Sequence, residues 1–237
     1  MTYLRNEKNN PFTASGFHLF LRKNVPIILL GIVFYVIAFL FFNRQTVVVV
    51  PPSRQLAWAS RLVSSLHAVI AFTSALLFLT HTITSKAWDT LMNASRAYVL
   101  YDIGLMLLYP ATSSSIQLDV SHHMILFFIM LFTFRHARYI AMGLLCEITQ
   151  IPFYISWYLL KWDMDSTMLF KIFAFLTLLI CFIFRVCLFS YIIYRLIRDY
   201  VYDKELITIP EILTFVPIAC MNYYWFYLLV QKAIDSF

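Results

Sequence analysis

Val25–Phe42 runs for 18 residues without a single charged side chain, and six further stretches repeat the pattern. These are Leu62–Ser85, Ala97–Leu118, Val120–Phe134, Tyr139–Leu160, Ile172–Tyr194 and Ile212–Gln231, interrupted only by isolated ionisable residues. A helix needs about 20 residues to cross a bilayer. In hydrocarbon every backbone N–H and C=O must be satisfied inside the protein, which leaves helices or closed barrels. The runs lack the two-residue alternation of barrel strands. The expected fold is therefore an all-α membrane protein with seven transmembrane helices. Composition agrees: 62% of the 237 residues are hydrophobic and 13% are charged. Soluble domains carry about 45–50% and ~25%. That excludes a disordered chain and argues against a soluble enzyme.

Punctuation places the spans. Residues 1–24 read as a polar basic tail broken at Asn9-Asn10-Pro11, and residues 25–42 as the first transmembrane helix. Arg22 and Lys23 precede that helix and Asn43-Arg44-Gln45 follow it, with no small-residue cleavage site, so it reads as a retained anchor. Val47–Val50 before Pro51-Pro52 favours an extended segment in a loop over residues 43–61. The third span is expected to break near Pro110, and the fifth and seventh to kink at Pro152 and Pro217. The fourth is short, and residues 195–211 read as a charged loop.

Four cysteines, at 146, 181, 187 and 220, sit in apolar runs without a CxxC pair, so neither a disulfide framework nor a thiolate zinc site is indicated. The net charge of +6 comes from basic residues at the ends of apolar runs, where they anchor and orient helices. No dense basic tract with interleaved aromatics points to nucleic acid.

The informative residues are the polar ones within spans: His67, Asp102, His122, His123, Glu147, Arg185 and Asn222. A charge at mid-bilayer costs about 2.5–3.5 kcal/mol on the insertion scale unless it faces the bundle interior. Helical spacing groups them with neighbours. Ser60, Ser64, His67 and Ala71 share a face, as do Ser95, Tyr98, Asp102 and Tyr109. Gly143, Glu147, Gln150 and Tyr154 form a third stripe, and Phe215, Asn222, Trp225 and Leu229 a weaker fourth. Such stripes suit an enclosed polar cavity, or, more plainly, hydrogen bonds that glue helices together.

Arg185 needs a partner. Glu147 or Asp102 would form a buried ion pair with it, or it could hold an anionic head group. His122 and His123 point about 100° apart on a helix, so one can face a cavity while the other meets a neighbour. Asp119, four residues before His123, could orient it. A neutral His can take a proton from an amine or hydroxyl nucleophile. No HxxxH or HxxHH spacing indicates a metal, no GxSxG indicates Ser-His-Asp hydrolysis, and no cofactor is called.

Six stretches taken in order carry a resemblance. They are Trp58–Ala68, Ala97–Asp102, Ser121-His122-His123, Leu144–Phe153, Phe184-Arg185-Val186 and Met221–Trp225. Together they resemble the TLC-domain family, which includes the ceramide synthases and the translocating-chain-associated membrane proteins. The resemblance covers residues 55–233, and it is nearest to the small TLC-domain-containing proteins. It implies six helices in a TLC-type bundle around a central cavity, preceded by one extra helix. It also implies the endoplasmic reticulum or another internal membrane, and lipid metabolism or lipid sensing. In ceramide synthases the paired histidines matching His122 and His123 are associated with acyl transfer. The pattern departs where those enzymes carry a further His-Asp and a later Asp. Here the chain reads Leu145-Cys146-Glu147-Ile148-Thr149-Gln150, with one carboxylate, and it has no homeobox-like insertion. That counts against transfer to a sphingoid base.

The expected function is lipid homeostasis through binding or modifying an acyl lipid in an intramembrane cavity. In an acyltransferase-like enzyme, His122 or His123 would be the general base and Asp102 or Glu147 its orienting carboxylate. His67, Glu147, Arg185 and Asn222 would bind the lipid or its head group. The alternative is a non-enzymatic lipid sensor, carrier or cargo receptor using the same residues. The partners expected are membrane lipids or fatty acyl groups, with acyl-CoA as a candidate donor, and no nucleic acid. Eleven Lys and Arg in the tail and even-numbered loops, against six in the others, favour a cytosolic N-terminus.

Overall fold

The computed structural model describes residues 14–47, 50–112, 115–132, 137–203 and 208–236. These residues are helical throughout, apart from short connections. The elements are α1 (Ala14–Thr46), α2 (Pro52–Leu79), α3 (Ser85–Leu108), α4 (Ile116–Phe132), α5 (Ala137–Leu144), α6 (Gln150–Lys161), α7 (Met168–Cys181), α8 (Leu188–Asp203) and α9 (Thr208–Ser236). A 3₁₀ segment, Leu145–Thr149, joins α5 to α6, and a π-helical segment, Phe182–Cys187, joins α7 to α8. Among the described residues the chain thus forms seven rods.

Five segments are long and apolar enough to cross a membrane: Leu21–Thr46, Arg54–Leu79, Ala137–Lys161, Met168–Tyr202 and Glu211–Ile234. Ile116–Leu131 in α4 is apolar but shorter. The chain is a multi-pass membrane protein. α3 has the length to span, but Arg96 and Asp102 lower its hydropathy. Its position explains how it carries them: α3 packs against α1, α2 and α4. Arg96 is buried, donating to the Asn93 side chain and to the Met130 carbonyl of α4.

Several boundaries differ from the sequence expectation. α1 begins at Ala14, inside the stretch expected to be tail. Much of the loop expected over residues 43–61 is helix. Pro51 and Pro52 start α2 rather than merely ending an extended segment, because a helix's first turn has no use for their missing N–H. Val48 and Val49 lie outside the described residues. α3 starts well before Ala97, where the Thr84 hydroxyl accepts from the Ala87 N–H at 3.3 Å, and it stops before Pro110. The loop expected over residues 195–211 is helix up to Asp203 and again from Thr208, and the residues between lie outside the described set.

The expected kink at Pro152 appears upstream as the 3₁₀ segment. Pro152 has no N–H for the Ile148 carbonyl, and the preceding turn tightens. Two helices end in left-handed residues. His81 (φ 58°) closes α2 and Asp163 (φ 56°) closes α6, each with the paired backbone hydrogen bonds that cap a final turn.

α1 approaches α3 closely. A Cβ at Gly31 would lie 2.6 Å from the Ala97 Cβ, so only glycine admits this contact. Asn24 accepts a hydrogen bond from Asn93 at 2.8 Å, and the Tyr35 ring stacks on Tyr101. The first helix is therefore part of the packed bundle.

Candidate functional site

The polar stripe on α2 faces inward as its spacing predicts. Ser60, Ser64, His67 and Ala71 are all buried. His67 is 1% exposed and lies flat against Tyr98, with ring centroids 3.8 Å apart. Its Nδ1 is 3.3 Å from the Tyr35 hydroxyl. Tyr98 donates to the Ser64 hydroxyl at 2.9 Å. His67 is thus held on its face and at its edge by aromatic side chains from α3 and α1.

Asp102, on the α3 stripe, meets α4. Its Oδ2 is 3.3 Å from His123 Nε2. The other ring nitrogen, Nδ1, is 3.0 Å from the Asp119 carbonyl oxygen. A carbonyl only accepts, so Nδ1 carries a proton. Nε2 against a carboxyl oxygen then requires one more proton, on the ring or on the carboxyl. Either way His123 and Asp102 together are electrically neutral, which suits a low-dielectric interior. Asp119 does take part, though through its backbone carbonyl, and Asp102 supplies the carboxyl.

His122 points elsewhere, as a 100° step requires. It packs edge-on to Trp225 of α9, with centroids 4.9 Å apart, and its buried Nδ1 has no hydrogen-bond partner. With Cys146 and Glu147 from the 3₁₀ segment, it lines a void of about 20 Å³. Glu147 is buried, and its carboxylate accepts from the Gln150 amide. The space fits one water-sized group. That void is far smaller than ligand pockets, which run to ~300–1,000 Å³.

Arg185 sits in the π-helical segment between α7 and α8. The expected ion pair is replaced by neutral partners. Arg185 donates Nε–H to the Thr149 hydroxyl at 2.8 Å and Nη1–H to Asn222 Oδ1 at 3.1 Å. Its guanidinium also lies 5.5 Å from the centre of the Trp225 ring. Among the described residues no carboxylate comes within ion-pair distance of it. The extra residue of a π turn shifts side-chain register, so α-helical spacing does not foretell where Arg185 points.

The residues therefore fall into two groups. His67, Tyr98, Asp102 and His123 form one, with Tyr35 added from α1. His122, Glu147, Arg185 and Asn222 form the other, with Thr149, Gln150 and Trp225 added. The second group holds three buried polar atoms without partners: His122 Nδ1, Gln150 Oε1 and Asn222 Nδ2. Thr149 and Tyr35 were not singled out from the sequence. Thr149 lies within a matching stretch but carries no charge, and Tyr35 lies in the first span, outside the resemblance. Among the described residues no cluster of His, Cys, Asp and Glu could hold a metal ion.

A family model described as the TLC domain matches residues 57–231. No curated protein and no solved structure matches the chain. The match covers most of the sequence, and the chain belongs to the TLC-domain family.

Proposed function

We propose that this TLC-domain protein crosses an internal membrane, that of the endoplasmic reticulum, seven times, and serves lipid homeostasis by holding the polar end of an acyl lipid. The observation that carries this reading is the set of unpartnered atoms around Glu147 and Arg185. Gln150 Oε1 lacks a donor, Asn222 Nδ2 lacks an acceptor, and His122 Nδ1 can serve as either. Leaving a buried polar group unpaired costs about 1–3 kcal/mol. A hydroxyl or amide group beside an acyl chain offers both a donor and an acceptor and would satisfy them. The void beside His122, about 20 Å³, is lined by neither Gln150 nor Asn222 and admits no acyl chain, so binding requires helices around His122 to separate. An ionisable residue inside a membrane is a functional-site candidate by default.

Acyl transfer is a second reading, favoured by the 3.3 Å contact of His123 with Asp102. Both ring nitrogens of His123 are engaged, so His122 would accept the proton of an amine or hydroxyl nucleophile attacking the acyl carbonyl. The leaving thiolate of an acyl-CoA donor would take up a proton in turn. The His123–Asp102 pair would hold the neighbouring charge constant.

Lipid profiles of cells lacking the protein, restored with wild type or with His122→Ala, test both readings. Binding is read in parallel, by cross-linking the full chain in vesicles to a photoreactive fatty acid. Cross-links on α4 and α9 that disappear in Glu147→Gln/Asn222→Leu support lipid binding. Labelling indifferent to those substitutions overturns it. Loss of the lipid change in His122→Ala at normal abundance, with cross-linking retained, favours transfer.

A further inference from the structure

A second polar concavity lies away from the central cluster, where the start of α2 meets the end of α6. It has a volume of about 310 Å³ and is lined by Val50, Pro51, Arg54, Trp58, Lys161, Trp162 and Asp163. We propose that this pocket binds the head group of a zwitterionic glycerophospholipid, the phosphate against Arg54 and Lys161 and the ammonium against Trp162 and Asp163. The inference stands independently of the function proposed for the central site.

Three observations carry it. The first is size: 310 Å³ falls within the range of small-ligand pockets, fifteen times the void at His122. The second is the charge pattern. Two cations and one carboxylate line a single concavity with two indoles. A purely anionic ligand would be repelled by Asp163, and a purely cationic one by Arg54 and Lys161. A phosphate joined to an ammonium by two carbons meets all three, and indole faces attract quaternary and primary ammonium groups. The third is an unmet donor. Trp58 is 6% exposed, and its buried indole Nε1 has no hydrogen-bond partner. It can donate to a phosphate oxygen.

The surroundings fix the pocket. Trp58 packs against Tyr158 and Trp162, with centroids 4.4 and 5.0 Å away, and the Tyr158 hydroxyl donates to the Trp58 carbonyl at 3.3 Å. The left-handed turn at Asp163 brings the chain back beside Lys161. The pocket lies at helix ends, the level at which tryptophan, arginine and lysine meet lipid head groups. A membrane phospholipid, rather than a soluble phosphodiester, is therefore the occupant.

Native mass spectrometry of the full chain, titrated with phosphatidylcholine, phosphatidylethanolamine and phosphatidylglycerol, tests the proposal. Wild type should bind the two zwitterionic lipids at least fivefold better than phosphatidylglycerol. Arg54→Gln/Lys161→Gln should lose about tenfold for the zwitterionic lipids. Asp163→Asn is the milder variant, since asparagine adopts a left-handed backbone readily, and it should erase the preference over phosphatidylglycerol. Phosphatidylglycerol bound as well as the others by wild type would overturn the proposal, as would unchanged binding in the double variant or an unaltered preference in Asp163→Asn. Displacement of lipid by equimolar glycerophosphocholine would overturn a membrane lipid as the occupant.

Discussion

Asp102 Oδ2 and His123 Nε2 are 3.3 Å apart across the α3–α4 contact, while His123 Nδ1 faces the Asp119 carbonyl. Twenty residues of chain lie between the two partners, and each closes off the other's polar edge. Removing one leaves the other unpaired in an apolar surround. Breaking a buried pair in this way costs about 3–5 kcal/mol. His123→Ala should therefore lower the unfolding temperature of the detergent-solubilised protein markedly. Asp102→Asn keeps a hydrogen bond, since the amide can donate to neutral Nε2, and should cost about 1 kcal/mol. Equal losses in the two variants, read by thermal unfolding, would contradict the shared proton.

His122 differs from its neighbour in having an unpartnered Nδ1. His122→Ala gives up packing against Trp225 but strands no hydrogen-bond partner. A loss below about 2 kcal/mol is expected, with normal abundance in cells. If abundance falls as far as in His123→Ala, His122 is structural.

Arg185 rests on neutral partners, so Glu147 is not what holds it. Glu147→Gln should leave folding nearly unchanged, within about 1 kcal/mol. Thr149→Val/Asn222→Leu removes both acceptors of a half-buried guanidinium and should cost about 2 kcal/mol or more. Unfolding temperatures of the two variants, measured side by side, check the order. The reverse order would restore the ion pair expected from the sequence.

The contact of Gly31 with Ala97 predicts a reciprocal pair. Gly31→Ala forces a Cβ to within 2.6 Å of another and should destabilise by about 1–3 kcal/mol. Adding Ala97→Gly removes the opposing methyl and should recover most of that loss. A double-mutant cycle showing simple additivity would mean that the helices part without cost.

Orientation has its own test. A glycosylation tag placed before Met1 should remain unmodified if the N-terminus is cytosolic. The chain also carries a glycosylation sequon, Asn93-Ala94-Ser95, which gives no readout. It lies within α3 rather than in a loop, and the Asn93 amide is 1% exposed and bonded to Asn24.

The helical nature of the chain and the inward face of α2 were legible because both follow from local spacing. Ser60, Ser64 and His67 recur at three- and four-residue steps, and a membrane makes that pattern decisive. What spacing cannot supply is partnership across helices. Spacing makes Asp119 the natural orienter of His123 at four residues' distance, yet it is the Asp119 carbonyl that meets Nδ1, and the carboxyl at Nε2 comes from α3. Arg185 is expected against Glu147 or Asp102, and the π turn that carries it to Thr149 and Asn222 instead leaves no mark in composition. The pocket beside Trp58 is not legible in the sequence because Arg54 and Lys161 read as ordinary anchors at span ends. Their meeting with Asp163 depends on the left-handed turn after α6.

The seating of α1 against α3 has a consequence for how the protein is made. Asn24 meets Asn93, and Tyr35 meets Tyr98 and Tyr101, only once α3 is in place. During synthesis α1 emerges first, and the last residue of α3 follows Thr46 by 62 positions. At ~5–20 residues per second the interval is about 3–12 seconds. For that time Tyr35 can meet His67 of α2 but none of its α3 ring neighbours, and Asn24 lacks the Asn93 amide. The nascent protein thus passes through a stage in which its first helix waits, incompletely solvated, for a partner still on the ribosome.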